Sequence, residues 1–127
     1  MLIISYISEN CKLDLENNSA AVKDSLKLLG ITDIYLGASH KIDVYKDYIT
    51  ERDLNSNTIL FMGDDIPDLY VMKEVALPCC PSDASPDIKR ISKYISHYKG
   101  GKGCVRDVIE QVLRSQHKWM NEDAFTW

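Results

Sequence analysis

The most constraining feature of the sequence is a five-residue run, Thr58-Ile59-Leu60-Phe61-Met62, that stops abruptly at Gly63. A short apolar run bounded by a glycine is typical of a strand that is buried on both faces of a parallel sheet. Similar short runs recur along the chain and alternate with segments of helical periodicity. The alternation predicts an α/β fold, in which helices cover both faces of a parallel sheet of four or five strands.

The predicted elements alternate along the whole chain. Strands are predicted at residues 2–7, 33–36, 58–62, 75–80 and 94–96, and Leu13 and Leu15 could belong to a further strand fragment. Helices are predicted at residues 19–29, 40–53, 67–75, after Ser85-Pro86, and at 103–117. We predict a single domain over residues 1–120, followed by a tail at 121–127 that is ordered only if it docks.

Charge and hydropathy exclude several classes of protein. The 127 residues carry a net charge of −4, whereas a nucleic-acid surface normally shows a basic excess. No apolar run approaches the length of a membrane span, and the apolar start at residues 2–7 is too short for a secretory signal. We therefore expect a cytoplasmic protein with neither a nucleic-acid nor a membrane partner.

The four cysteines, Cys11, Cys79, Cys80 and Cys104, do not form a recognisable metal or redox motif. No pair has the C-x-x-C spacing, and adjacent cysteines rarely bridge each other. We expect them to be reduced and to serve as small core residues.

Three carboxylates directly follow the central apolar run, in Gly63-Asp64-Asp65-Ile66-Pro67-Asp68, which we call the acidic motif. In an open α/β sheet, ligands bind at the carboxyl ends of the strands. Carboxylates at such a position make a hard-oxygen site suited to Mg²⁺. Alternatively, Asp65 and Asp68 cap the next helix, since acids favour helix N-termini. One cap does not account for three acids.

The acidic motif is the first of several blocks that occur in a characteristic order. It continues through Leu69-Tyr70-Val71-Met72 and is followed by Val75-Ala76-Leu77-Pro78, Asp83-Ala84-Ser85-Pro86 and Gly100-Gly101-Lys102-Gly103-Cys104-Val105-Arg106-Asp107. Over about residues 19–119 the sequence resembles the 3-deoxy-D-manno-octulosonate 8-phosphate phosphatase family of the haloacid dehalogenase superfamily. The resemblance implies a Rossmann-like parallel sheet, a Mg²⁺-dependent sugar-phosphate phosphatase, and a role in lipopolysaccharide sugar synthesis. Close relatives act on nonulosonate 9-phosphates.

Carried over position by position, the resemblance assigns roles to several residues. It implies that Asp64 ligates Mg²⁺ and that Asp65 and Asp68 support that ligand or its waters. It also implies that Lys41 neutralises the phosphate and the nucleophilic carboxylate. Alternatively, Lys41 is a solvated lysine at a helix start. Since a lysine is mildly unfavourable beside a helix N-terminus, an anionic neighbour would explain its position.

The glycine-rich segment offers a second group of candidate residues. The resemblance matches Arg106 to an arginine that follows the turn Gly100-Gly101-Lys102-Gly103, which we call the glycine turn. Arg106 either holds the last helix in place or reaches an anionic substrate from a neighbouring subunit. Gly100 and Gly101 would let the backbone approach a ligand closely, although a plain loop also needs glycine.

Two departures from the family pattern bear on the mechanism. The family's first strand ends in Asp-x-Asp, where the first Asp attacks phosphorus and the second acts as acid and base. No such pair ends an N-terminal strand here, and the family's following β-hairpin, which helps to build a tetramer, is also missing. In the second motif, Ser5 supplies the expected hydroxyl for the phosphate, but Tyr6 replaces the expected glycine. Aligning backwards from the next helix places Leu15-Glu16-Asn17-Asn18-Ser19 there instead, with Ser19 as a helix N-cap.

Three functional hypotheses remain at this stage. The first is a truncated or split phosphatase that lacks the nucleophile segment and is inactive alone; we expect it to form a homo-oligomer, a tetramer by family resemblance, and a separate N-terminal fragment could complement it. The second is a non-enzymatic descendant that keeps the fold and binds a sugar phosphate or a partner. The third is a receiver-like signalling domain, which is disfavoured because its acid pair would come early and its lysine late, whereas Lys41 precedes Asp64.

Overall fold

The computed structural model describes residues 40–120 in full and, before them, the backbone of three strands at 2–5, 11–15 and 33–36. The described strands are β1 (Leu2–Ser5), β2 (Cys11–Leu15), β3 (Asp33–Leu36), β4 (Ile59–Met62), β5 (Leu77–Cys80) and β6 (Tyr94–Ile95). The described helices are α1 (Lys41–Glu51), α2 (Leu69–Glu74), α3 (Pro86–Ile91) and α4 (Cys104–Ser115), with 3₁₀ turns at Ser56–Thr58 and Ile66–Asp68. The predicted helix at 19–29 and the tail at 121–127 lie outside the described residues.

The six described strands form one sheet in the order β3-β2-β1-β4-β5-β6. The pairs β2–β3, β4–β5 and β5–β6 are parallel, as predicted. The prediction fails in the direction of β1, which is antiparallel to both β2 and β4. β2, which the sequence suggested only as a strand fragment, brings the number of described strands to six. Residues 6–10, which join β1 to β2, are too few for a parallel crossover, which needs about a dozen residues or more. The short connection therefore dictates the direction of β1.

The sheet is covered on both faces beside β4, whose residues are all buried. Ile59 and Phe61 belong to one core cluster, which they share with residues of α1, α2 and α3. Leu60 and Met62 belong to a second cluster, which they share with Cys104 and Val108 of α4 and Cys79 of β5. Since successive strand residues point to opposite faces, the continuous apolar run fills two cores. The α/β fold predicted from this run is confirmed.

The carboxyl ends of β2 to β6 lie at one edge of the sheet, because these five strands run in the same direction. Asp64 follows the end of β4 by two residues, so the prediction that it lies at the carboxyl end of a central strand is confirmed. Cys79, Cys80 and Cys104 are free and buried, as expected of core residues. Within the described part of the chain, no helix is long and apolar enough to cross a membrane.

A buried carboxylate joins β6 to the first turn of α4. Asp107 is 9% exposed, and it accepts hydrogen bonds from the Tyr94 hydroxyl at 2.8 Å and the Ser96 hydroxyl at 2.7 Å. Burial alone would raise the pKa of Asp107, but the hydrogen bonds from Ser96 and Tyr94, together with smaller effects of Gln111 and His97, lower it below its ordinary value of 3.8. The bonded form is therefore the charged carboxylate, which secures α4 against the sheet.

We predict that Asp107→Ala lowers the free energy of unfolding by about 2 kcal/mol, because it leaves the buried hydroxyl of Ser96 and the partly buried hydroxyl of Tyr94 without this acceptor. Asp107→Asn keeps one acceptor oxygen and should lose less. The folded-state pKa of Asp107 is depressed, so the part of its contribution that depends on the charge is complete above the unfolded pKa and is lost as pH falls through the lowered folded-state pKa. Urea denaturation of the three proteins at neutral and acidic pH tests both points. A wild-type advantage over the alanine variant that is as large at the most acidic pH as at neutral pH would contradict this account.

Candidate active site

The acidic motif begins with a tight turn that only glycine permits. The Gly63 amide donates to the carbonyl of Cys79 at 3.1 Å, which fixes the turn to β5. A Cβ atom at Gly63 would lie 2.5 Å from the Cβ of Asp68, a distance that real side chains do not reach. The glycine therefore lets Asp68 fold back beneath the end of β4.

Asp68 is the buried centre of the motif, with 1% exposure. Its Oδ1 accepts a hydrogen bond from Lys41 Nζ at 2.8 Å. Its Oδ2 accepts from the backbone amides of Asp64 at 3.0 Å and Asp65 at 3.4 Å. One carboxylate thus fixes both the lysine and the backbone that presents Asp64.

Lys41 is the first residue of α1 and is only 5% exposed, so the alternative of a solvated lysine is wrong. The expected anionic neighbour of Lys41 is Asp68, which lies 27 residues later in the chain. This contact brings Lys41 to the acidic motif. A charged pair with this little exposure depends on the quality of its hydrogen bonds, because both ions have been removed from water.

Asp64 and Asp65 face the solvent and have different environments. The Asp65 side chain accepts from the Ile66 amide at 2.8 Å and forms a capping box with Asp68 at the start of the 3₁₀ turn. The cap anticipated for Asp65 is therefore present. The pKa of Asp64 is raised, first by partial removal from water and then by the neighbouring carboxylate of Asp68, while Lys41 opposes the shift.

The oxygen atoms at this edge suit a hard cation, although they do not surround one. Within residues 40–120, no group of three or more Asp, Glu, His or Cys side chains could hold a metal alone. Mg²⁺ usually keeps several waters and takes one or two carboxylates together with substrate phosphates. Asp64, whose charged form is disfavoured by Asp68, is a carboxylate that such a cation would stabilise.

The glycine turn lies at the β6–α4 junction and contains two residues with positive φ, Gly101 at +68° and Gly103 at +98°. Arg106 is exposed on the first turn of α4. The Gly100 amide donates to Asp83 Oδ1 at 2.8 Å. Sequence reasoning gave Asp83 no role, since its partner lies 17 residues away and no local pattern indicates the bond.

The structure does not bring Ser5 to the acidic motif. Because β1 is antiparallel to β4, Ser5 pairs with Ile59, at the opposite end of β4 from Asp64. The length of β4 from Ile59 to Met62, roughly 10 Å at the rise of an extended strand, therefore separates Ser5 from the turn that contains Asp64. The sequence offered two positions for the second motif, Ser5 and the segment that begins at Leu15. The second position follows β2, whose carboxyl end lies at the same edge of the sheet as Asp64.

Comparisons with known proteins were made against this geometry. No family model matches the chain. The curated 3-deoxy-D-manno-octulosonate 8-phosphate phosphatase of Yersinia pestis is 33% identical over 97 residues, which cover 76% of this chain and 52% of the relative. The enzyme of Escherichia coli strain K12 matches to the same extent. The chain thus spans about half the length of the curated relatives it matches.

Solved structures give the same result. The crystal structure of the Yersinia pestis phosphatase has a TM-score of 0.78 at 31% identity, covering 81% of this chain and 56% of that one. This chain belongs to that phosphatase family. The Moraxella catarrhalis phosphatase, solved with magnesium, phosphate and KDO, has a TM-score of 0.82 at 28% identity, covering 91% of this chain and 64% of that one. The predicted family and its haloacid dehalogenase fold are confirmed.

We predict that the Lys41–Asp68 pair is essential to the stability of this family member. Lys41→Met leaves the Asp68 carboxylate buried without its cation and should cost about 3 kcal/mol of unfolding free energy. The double variant Lys41→Met/Asp68→Asn removes both charges, keeps an oxygen acceptor for the Asp64 amide, and should recover a large part of the loss. Urea denaturation monitored by circular dichroism measures each value.

Lys46→Met is a matched control, since Lys46 is exposed on the same helix. This variant should change stability by less than about 0.5 kcal/mol. A Lys41→Met loss as small as that of the control would contradict the structural role of the pair.

Proposed function

We propose that the chain carries the acidic and lysine part of a Mg²⁺-dependent sugar-phosphate phosphatase site. The substrate would be 3-deoxy-D-manno-octulosonate 8-phosphate or a related nonulosonate phosphate. The observation that carries the proposal is the buried Lys41–Asp68 pair directly beneath the solvent-facing Asp64, at the carboxyl edge of the sheet. The family relatives support the substrate class.

Asp64 is the proposed ligand of the metal, and Asp68 positions it. Through its bonds to the Asp64 and Asp65 amides, Asp68 fixes the backbone that presents the Asp64 carboxylate. When bound, Mg²⁺ would supply positive charge to the phosphate and to the developing charge of the reaction. Lys41 would contribute a second, permanent positive charge beneath the same edge. Asp65 would support the ligand only indirectly, because its side chain caps the 3₁₀ turn.

The remaining proposals concern the glycine turn, the cellular role of the protein and its oligomeric state. Gly100 and Gly101 would let the backbone approach the substrate, and Arg106 would contribute a positive charge to an anionic group. We also propose a cytoplasmic role in lipopolysaccharide sugar synthesis and a homo-oligomeric assembly, a tetramer by family resemblance.

Turnover also requires a nucleophile, which in the family is the first Asp of Asp-x-Asp. The strand between β2 and β4 is β1, with the sequence Leu-Ile-Ile-Ser, and it contains no acid. Covalent phosphoryl transfer needs a carboxylate in line with phosphorus. We therefore propose that the isolated chain does not turn over and that a further segment must supply this carboxylate. The same observation favours a second candidate function, binding of a sugar phosphate or a partner without hydrolysis.

We predict that purified chain with Mg²⁺ releases no phosphate from 3-deoxy-D-manno-octulosonate 8-phosphate. Addition of a peptide or fused segment that carries an Asp-x-Asp strand should produce turnover, because it restores the missing nucleophile. Asp64→Asn should abolish that turnover, whereas Asp47→Asn, an exposed acid on α1, should not. The measurement is phosphate release over time.

Robust turnover by the unsupplemented chain, lost in Asp64→Asn, would show that a nucleophile is present and would overturn the need for a further segment. Substrate binding without turnover in either preparation would favour the non-enzymatic binding function.

A further inference from the structure

The acidic motif and the glycine turn are connected through the short segment between β5 and α3, residues 81–85. On one side of this segment, the Ser85 amide donates to the backbone carbonyl of Asp64 at 2.9 Å. On the other side, the Ser82 amide donates to the Tyr98 carbonyl at 3.0 Å, and Asp83 Oδ1 accepts from the Gly100 amide at 2.8 Å. The segment therefore forms a bridge between the two parts of the candidate site.

Asp83 differs from the other members of this bridge because its contact uses a side chain. The bonds of Ser82 and Ser85 run through their backbone amides and would survive most substitutions. Asp83 is exposed, and its carboxylate reaches across to a turn that lies 17 residues later. A carboxylate that accepts a backbone N–H makes a charge-assisted hydrogen bond, which is stronger than a neutral one.

The glycine turn needs such a restraint. Gly101 and Gly103 have positive φ, and nothing lies within 4 Å of where a Cβ would be placed on either residue. Glycines in open space have more backbone freedom than any other residue, so ordering them costs conformational entropy. Asp83 fixes one end of the turn at Gly100, while Asp107 and Ser96 fix the segment before it through the Tyr98 amide, which donates to Ser96 Oγ at 3.1 Å.

We infer that Asp83 is a positioning residue, which sets the placement of the glycine turn relative to Asp64 and thereby the affinity of the site for a phosphorylated anion. This inference rests on the proposed function. The negative charge of Asp83 is itself unfavourable for an anion nearby, so its contribution comes from the hydrogen bond and not from its charge. An asparagine at this position should therefore preserve the role, and an alanine should not.

The test compares wild type, Asp83→Ala and Asp83→Asn by ¹H–¹⁵N NMR. Hydrogen exchange at the Gly100 amide should be about tenfold faster in Asp83→Ala and close to wild type in Asp83→Asn, since loss of the acceptor exposes the amide. Titration with inorganic phosphate in the presence of Mg²⁺ should show binding in wild type, an affinity about fivefold to tenfold weaker in Asp83→Ala, and an affinity in Asp83→Asn equal to or tighter than wild type. Thermal unfolding of all three should be nearly unchanged.

The hydrogen-exchange measurement and the phosphate titration can each contradict the inference. Unchanged Gly100 exchange in Asp83→Ala would remove the structural link, whatever the titration shows. Faster exchange with undiminished phosphate affinity would show that the turn does not serve the site. Equal losses in both variants would assign the effect to charge. Absence of phosphate binding to wild type would overturn the binding role of Asp83 even if the exchange result held, whereas the proposed function is decided separately by phosphate release after addition of the Asp-x-Asp segment.

Discussion

The ion pair between Lys41 and Asp68 is the interaction on which the rest of the candidate site depends. It joins the start of α1 to the 3₁₀ turn that follows β4, and its carboxylate also accepts hydrogen bonds from the backbone amides that present Asp64. The pair fits only because Gly63 has no side chain, since a Cβ there would overlap Asp68. A buried ion pair is not in itself a strong source of stability, because desolvation offsets much of the attraction. Its value here lies in geometry, since one charged contact fixes a helix, a turn and an exposed acid.

The three acids of the motif therefore differ in their environments and in their contacts. Asp68 is structural and interior, Asp65 caps the 3₁₀ turn, and Asp64 presents its carboxylate to solvent. Sequence reasoning offered two explanations, a metal cluster or a helix cap, and treated them as competitors. The cap is present at Asp65, whereas the proposed metal ligand is Asp64, because the turn after Gly63 directs one carboxylate inward and the others outward. A motif of identical residue types can thus contain different functions.

The sequence predicted those features that depend on local pattern and on strand order. The apolar run before Gly63 identified a doubly covered strand, and the position of Asp64 at its carboxyl end followed from that run. The direction of β1 was not predicted, because an apolar run of this length is equally compatible with either direction and only the short connection to β2 decides it. The burial of Lys41 and the bond from Asp83 to Gly100 were also beyond local pattern, since each depends on a partner 27 or 17 residues away. The sequence suggested that the Ser5 hydroxyl contacts the phosphate, but the register of β1 places Ser5 at the end of β4 opposite Asp64.

The antiparallel strand β1 has a consequence for how the sheet assembles. Among the described strands, β2 and β3 form one parallel half, β4 to β6 form the other, and β1 is the seam that hydrogen-bonds to both. The half that contains β4 is built from elements adjacent in sequence and has its own cores on both faces. The seam pairs locally with β2, but its pairing with β4 joins opposite ends of a long chain segment. Closing such a long loop carries an entropic cost that contacts between neighbouring elements do not incur. We therefore expect the β4–β6 half to become ordered first and the seam to close last, which makes the joining of the two halves the slow step in forming the complete sheet.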